Sequence, residues 1–236
     1  MTFNEEFSAF VANPLGSGGW KTRYYHGDRT LAGNNEAQFY ADEQTGGSPF
    51  RVRNGVLEIE AIRQEMAPGL GYRSGLLNSQ TLFSQRHGYF EMRAKLPAGR
   101  GVWPAFWLLP VGGGWPPEID VVEMLGHEAD TLYASVHWQD SEHRATTRKV
   151  RVSDMSRDFH TYGMAWRSDR IVWYFDGLEI AASSTPVGLD KPMYLLVNLA
   201  IGGPGSWPGA PDAATRFPAV MLVDWVRAFQ FAGEEI

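Results

Sequence analysis

Glu118-Ile-Asp-Val-Val-Glu123 sets three carboxylates within an apolar, β-branched run that continues through Met124 and Leu125. This composition reads as a strand. A solvated charge run would not be framed by Ile119, Val121 and Val122. Carboxylates on a half-buried strand cost stability unless they are paired or used, so the stretch calls for a chemical role. Side chains alternate along a strand, which places Glu118 and Asp120 on one face and Ile119 and Val121 on the other. Strict alternation would set Val122 beside the acids and drive Glu123 into the core. One extra residue near Val121 and Val122, a β-bulge, turns Glu123 back onto the acid face.

With that bulge the two glutamates stand about 13 Å apart at Cα, taking about 3.3 Å per residue over about four effective steps. On a concave sheet the carboxyl groups can then approach to about 5–5.5 Å, the separation of nucleophile and acid/base in a retaining glycosidase. Asp120, shorter and between them, is placed to hydrogen-bond the nucleophile. Three close carboxyls cannot all ionise freely, so at least one is expected to hold a proton near neutral pH. Two other readings of the six residues stand beside this one. Asp and Glu oxygens suit a divalent metal, and an edge strand can be acidic without a further role.

The surrounding sequence favours the first. Glu118-Ile-Asp-Val-Val-Glu123 resembles the bulged E-x-D-x-x-E active-site strand of glycoside hydrolase family 16. The resemblance extends in order along the chain through Gly33-Asn-Asn-Glu-Ala-Gln-Phe-Tyr40, Gly88-Tyr-Phe-Glu-Met-Arg93, Gly101-Val-Trp-Pro-Ala-Phe-Trp107, Phe159-His-Thr-Tyr162, Trp173-Tyr-Phe-Asp-Gly177 and Asn198-Leu-Ala-Ile-Gly-Gly203. It implies an all-β fold, a concanavalin-like β-jelly-roll sandwich of two antiparallel sheets with a substrate cleft on the concave face. It also implies an endo-acting, retaining hydrolase of β-linked glucans or galactans. By position Glu118 would be the nucleophile, Asp120 the assisting acid and Glu123 the general acid/base. A carbohydrate-binding module on the same scaffold is the competing class; it would keep the tryptophans but has no need of all three acids.

Composition is compatible. The 236 residues suffice for one sizeable sandwich, so residues 1–236 are expected to form a single catalytic domain. Gly and Pro are spread along the chain, as where short strands meet at turns. A net charge of -6 with no Lys/Arg stripe argues against a nucleic-acid partner. Cysteine is absent, which excludes a disulfide framework and a thiol nucleophile. No long apolar run suggests a membrane span. The opening Met1-Thr-Phe-Asn-Glu-Glu6 has neither a basic region nor an apolar core, so no signal peptide is expected in this chain. A polysaccharide substrate would nonetheless place the activity outside the cell. A monomer is expected, with no cofactor required for catalysis.

Periodicity supports the sandwich. Phe90, Met92, Ala94 and Leu96 alternate with Tyr89, Glu91, Arg93 and Lys95, a period of two. Ile171-Val-Trp-Tyr-Phe175 before Asp176-Gly177 reads as the first half of a hairpin. Met193-Tyr-Leu-Leu-Val-Asn-Leu-Ala200 is apolar on both faces except for Asn198, as in an inner strand. The loop Val111-Gly-Gly-Gly-Trp115 lacks the lysine and helix that follow phosphate-binding loops and reads as punctuation.

Sugar rings present apolar C–H faces that stack on aromatics, which singles out four tryptophans. Trp103 and Trp107 share one strand face just before the acids, Trp115 precedes them, and Trp207 lies in the loop Gly202-Gly-Pro-Gly-Ser-Trp207, which resembles a cleft rim. A core role is the alternative for each. His137 alternates with Ala134, Val136 and Trp138, so it faces away from the apolar set; the family often has a histidine here. Asn35 resembles a cleft asparagine, with turn stabilisation as the alternative. Asn198 is a weaker candidate.

One departure bears on specificity. Many related glucanases carry an arginine after the Ser-Gly segment; here, in Arg73-Ser-Gly-Leu-Leu77, that position is apolar. Arg73 could substitute from nearby, and loss of a bidentate donor would change sugar recognition. The motifs resemble those of rhizobial enzymes that cut acidic exopolysaccharides such as succinoglycan. Strict alternation puts Asp224 on one face with Val220, Leu222 and Val226, where a carboxylate needs compensation. The resemblance suggests a structural calcium there, with Glu6 as a partner. Bonding of Asp224 to backbone amides or an arginine is the alternative.

Overall fold

The computed structural model describes residues 1–8, 10–12 and 19–232. Apart from a 3-10 turn at Ala32–Asn34, its regular elements are strands. The first half holds β1 (Phe3–Glu5), β2 (Gln38–Tyr40), β3 (Phe50–Arg53), β4 (Val56–Ala67), β5 (Leu70–Ser74), β6 (Leu76–Asn78), β7 (Gly88–Lys95) and β8 (Val102–Pro110). The second holds β9 (Glu118–Glu123), β10 (Thr131–Gln139), β11 (His143–Arg151), β12 (His160–Trp166), β13 (Arg170–Phe175), β14 (Leu178–Ser184), β15 (Met193–Ile201) and β16 (Ala219–Phe229).

Alternation sorts these strands into two layers. Along β7 every second residue is buried, Gly88, Phe90, Met92 and Ala94, as the sequence predicts. β7 lies in a ten-stranded sheet of order β14-β13-β12-β7-β16-β4-β5-β2, with β1 beside β16 and β3 beside β4. The second sheet has six strands in the order β11-β10-β9-β8-β15-β6. All pairings between these strands are antiparallel except β2 with β5. The facing sides close on one core that includes Phe90, Met92, Phe106, Ile119, Trp166 and Trp173.

β15 is buried along its whole length, as expected of an inner strand between β8 and β6. Its odd-numbered residues enter the core between the sheets. Tyr194, Leu196 and Ala200 join a second cluster with Tyr24, Tyr40, Ala105, Trp107 and Leu109 on the outer side of the six-stranded sheet. That outer apolar floor is what the site is built on. The hairpin between β13 and β14 turns at Asp176 and Gly177, both at positive φ (49° and 77°), the geometry an Asp-Gly turn supplies.

Candidate active site

The register of β9 resolves the spacing of its acids. Against β10, Asp120 pairs with Ser135 and Glu123 with Tyr133, so two residues, Val121 and Val122, oppose the single Ala134. Against β8 the same slip falls between Phe106 and Trp107. The extra residue lies at Val121–Val122, and both valines are buried in the core. Glu118, Asp120 and Glu123 therefore share the outer face. From the opposite sheet, Trp173 Nε1 donates to the Asp120 carbonyl oxygen at 2.8 Å, tying the bulged segment down from below.

Each acid has its own neighbours. Trp115 Nε1 donates to Glu118 Oε2 at 3.0 Å, and Trp103 Nε1 donates to Glu123 Oε1 at 3.1 Å. His137, directly across from Glu118 on β10, holds its Nε2 3.6 Å from Glu118 Oε1 and 3.5 Å from Asp120 Oδ2. Asp120 is 3% exposed, and its Oδ2 has no hydrogen-bond partner. Burial pushes all three carboxyls up, Asp120 to about 8. The charge of Asp120 adds to the rise at Glu118 and Glu123, while His137 and the Trp115 bond pull Glu118 partly back. Three such groups hold fewer than three charges near neutral pH.

The acids line a cleft of about 770 Å³ with Tyr24, Tyr25, Trp103, Trp115, Trp207 and His137 among its walls. Trp103 and Trp107 do share a face, with different partners. Trp107 is 8% exposed and donates to Asn198 Oδ1 at 2.7 Å, while Asn198 Nδ2 donates to Tyr40 Oη at 2.9 Å. Trp107 and Asn198 thus belong to a bonded cleft floor. Trp207 stands half-exposed at the rim, edge-on to Trp103 at 5.6 Å and to Tyr133 at 4.7 Å. Trp115 is 54% exposed and enters β9 through two consecutive cis prolyl bonds.

Other expected residues fall elsewhere. Asn35 does not line the cleft; its neighbours Asn34 and Glu36 do. It closes the 3-10 turn in the left-handed region (φ 52°), its amide donating to Ala32 and its carbonyl accepting from Gly203. That is the turn role. Arg73 pairs with Glu60 at 3.2 Å and does not reach the cleft walls. Asp224 is the extra residue of a second bulge, where β16 slips against β7 between Val223 and Trp225. The slip moves the buried set from Met221 and Val223 to Val226 and Ala228, so Asp224 leaves the face it was expected to share with Val226. It pairs there with Arg93, and Glu6 accepts from Arg227 Nη2 at 2.7 Å. Each of the two carboxylates expected at a calcium is paired with an arginine.

Several groups in or beside the cleft were not singled out from sequence. Glu36 is buried and accepts from the Leu31 amide at 2.8 Å and Gln38 Nε2 at 2.6 Å, with its carboxyl raised by burial. Tyr25 Oη accepts from the Gly114 amide at 3.1 Å, anchoring the glycine loop before Trp115. His143 bonds His137. The ligand atoms of Glu118, Asp120 and His137 lie within 4.8 Å of one another, the one such convergence among the described residues.

Comparison with known proteins places this arrangement. The pattern of glycosyl hydrolases family 16 matches residues 25–227. Endo-1,3-1,4-beta-glycanase ExsH of Rhizobium meliloti is 43% identical over 97% of this chain and 51% of its own length. The chain thus spans about half the length of that relative. An endo-beta-1,3-glucanase from Pyrococcus furiosus superposes with a TM-score of 0.76 at 35% identity, over 96% of this chain and 92% of that one. A non-specific endo-beta-1,3(4)-glucanase, SCLam, gives a TM-score of 0.80 at 33% identity, over 97% and 89%. Two antiparallel-rich sheets, the bulged acid strand and these matches agree: the chain belongs to glycoside hydrolase family 16 and has its β-jelly-roll fold.

Proposed function

We propose that the chain is an endo-acting, retaining glycoside hydrolase that cuts internal β-1,3 or mixed β-1,3/1,4 bonds of a glucan or a glucan-containing bacterial exopolysaccharide. One observation carries this reading: a bulge sets three raised carboxyls, Asp120 buried and both glutamates half-buried, on the outer face of β9, facing a tryptophan-lined cleft. The names of the relatives, endo-acting on 1,3 and 1,4 β-linkages, support the substrate class.

Glu118 attacks the anomeric carbon while the protonated Glu123 gives its proton to the leaving oxygen. Glu123, now ionised, then takes a proton from water as that water displaces Glu118 and releases the sugar. The raised carboxyl of Glu123 suits the first role. Glu118 must be ionised to attack, and the Trp115 N–H, the facing His137 and a proton resident on Asp120 all favour its charge. The steps use only side chains of this chain. A polymeric substrate supports a site of action outside the cell.

The test is reducing-end release from laminarin, mixed-linkage β-glucan, succinoglycan and agarose, with Glu118→Gln protein as blank. Release from one of the first three, absent in the blank, supports the reading. Release from agarose alone moves the substrate to galactans, and binding without release points to a carbohydrate-binding module. The convergence of Glu118, Asp120 and His137 within 4.8 Å gives a metal-dependent hydrolase as the second reading. EDTA separates the two: the glycosidase keeps its rate, whereas a metal enzyme loses it.

A further inference from the structure

His143 opens β11, diagonal to His137 across the strand pair, because the residue directly opposite His137 is the small Ala145. The two imidazoles lie side by side, their planes 6° apart and their centroids 5.4 Å apart. His137 Nδ1 and His143 Nε2 are 3.1 Å apart, a hydrogen bond. The indole of Trp115, the same ring that donates to Glu118, packs against both at 4.7 Å from His143 and 5.9 Å from His137.

One hydrogen fits between those two nitrogens. With none, two lone pairs face each other at 3.1 Å; with two, two N–H bonds collide. In a neutral pair the side that holds this hydrogen decides which way His137 faces the acids. If His143 Nε2 donates, His137 Nδ1 accepts, and the hydrogen of His137 must sit on Nε2, facing Glu118 Oε1 and Asp120 Oδ2. The charged hairpin groups do not compete for His143: Asp140 and Glu142 both pair with Arg144, at 2.6 and 3.3 Å.

We propose that His143 is a positioning residue that fixes the tautomer of His137, so that His137 presents an Nε2–H to the Glu118–Asp120 pair. The kinetic consequence rests on the glycosidase reading; the tautomer does not. The opposite tautomer would turn an Nε2 lone pair toward Glu118 Oε1, 3.6 Å away, where the ionised carboxylate presents lone pairs of its own. It would remove the partial positive charge of an N–H from beside the attacking carboxylate.

The experiment is long-range ¹H–¹⁵N NMR of histidine-labelled protein at a pH where both rings are neutral, on wild type, His143→Phe and His143→Gln, with each fold checked by circular dichroism. The expected result is His137 as the Nε2–H tautomer in wild type, loss of that preference in His143→Phe, and its retention in His143→Gln, whose amide N–H can replace the donor. An Nδ1–H tautomer in wild type, or an unchanged His137 in His143→Phe, overturns the proposal. On the polymer that wild type cuts, His143→Phe is expected to lower kcat about tenfold with KM within about twofold, and His143→Gln to recover most of it. An unchanged kcat in His143→Phe removes the catalytic consequence. If wild type cuts no polymer, the glycosidase reading fails while the NMR result still decides the tautomer.

Discussion

Glu118 and Glu123 differ in their partners more than in their chemistry, and the difference fits the roles proposed for them. Glu118 has His137 3.6 Å away and accepts from Trp115, while Glu123 accepts from Trp103. Removing the acid/base as Glu123→Gln is expected to lower kcat by about 10²–10⁴-fold. Glu118→Gln should abolish turnover, since an amide is no nucleophile here. Both variants should still bind the polymer by affinity electrophoresis, and full activity in either would sink the assignment. Asp120 allows a different test. Its carboxyl is raised to about 8 in the fold, above its unfolded value, so the folded state binds more protons between the two. Stability from this group is thus fully present below about pH 4 and is lost as pH rises through about 8. Asp120→Asn removes the group that must be deprotonated while buried. Its melting temperature should fall less than that of wild type between pH 5 and pH 9, and parallel melting curves would show that Asp120 titrates as an ordinary carboxyl.

At the scale of elements, both sheets depend on where a strand gains one residue. The bulge in β9 was legible because its consequence was chemical: without it Glu123 would be a carboxylate in the core, where charge has no compensation. The bulge in β16 was not, because Val220-Met-Leu-Val is apolar at both parities and the slip at Asp224 leaves no mark in the pattern. β11 shows the same limit. His143-Arg-Ala-Thr-Thr-Arg-Lys-Val-Arg151 has no apolar alternation, so nothing told which of its residues face β10's acid side. In the loop before β2, where no period operates, the sequence could not separate Asn35 from Asn34 and Glu36. The clearest inter-element tie is Trp173, fully buried on β13, whose Nε1 holds the Asp120 carbonyl across the sandwich. Trp173→Phe keeps a large ring in the core but leaves that carbonyl unpaired, at a cost of about 1–3 kcal/mol. Urea denaturation should show that loss, together with a fall in kcat as the bulged segment loosens. Wild-type stability would mean the carbonyl finds another donor.

Across the whole molecule, the position of the acids in the sheet bears on where a polymer is cut. The cleft runs over strands on both sides of β9. On one side its lining passes through Trp103 and Trp107 on β8 to Asn198 and Ala200 on β15, and on to the loop bearing Tyr24 and Tyr25. On the other it passes through Ser135 and His137 on β10 to Thr147 on β11. With about 4.8 Å between neighbouring strands, two strands on each side give the cleft about 19 Å of sheet with the acids near its middle. A chain lying across it would place sugar units on both sides of the bond facing Glu118 and Glu123. An end-cutting enzyme needs its acids close to a closed end of the site, and here the lining continues past them in both directions. Cleavage is therefore expected at internal bonds. On a long β-glucan, viscosity should fall by half while reducing ends have barely risen, and the first products should be a spread of oligosaccharides. Early release of a single mono- or disaccharide at nearly unchanged viscosity would show that one half of this cleft does not hold substrate.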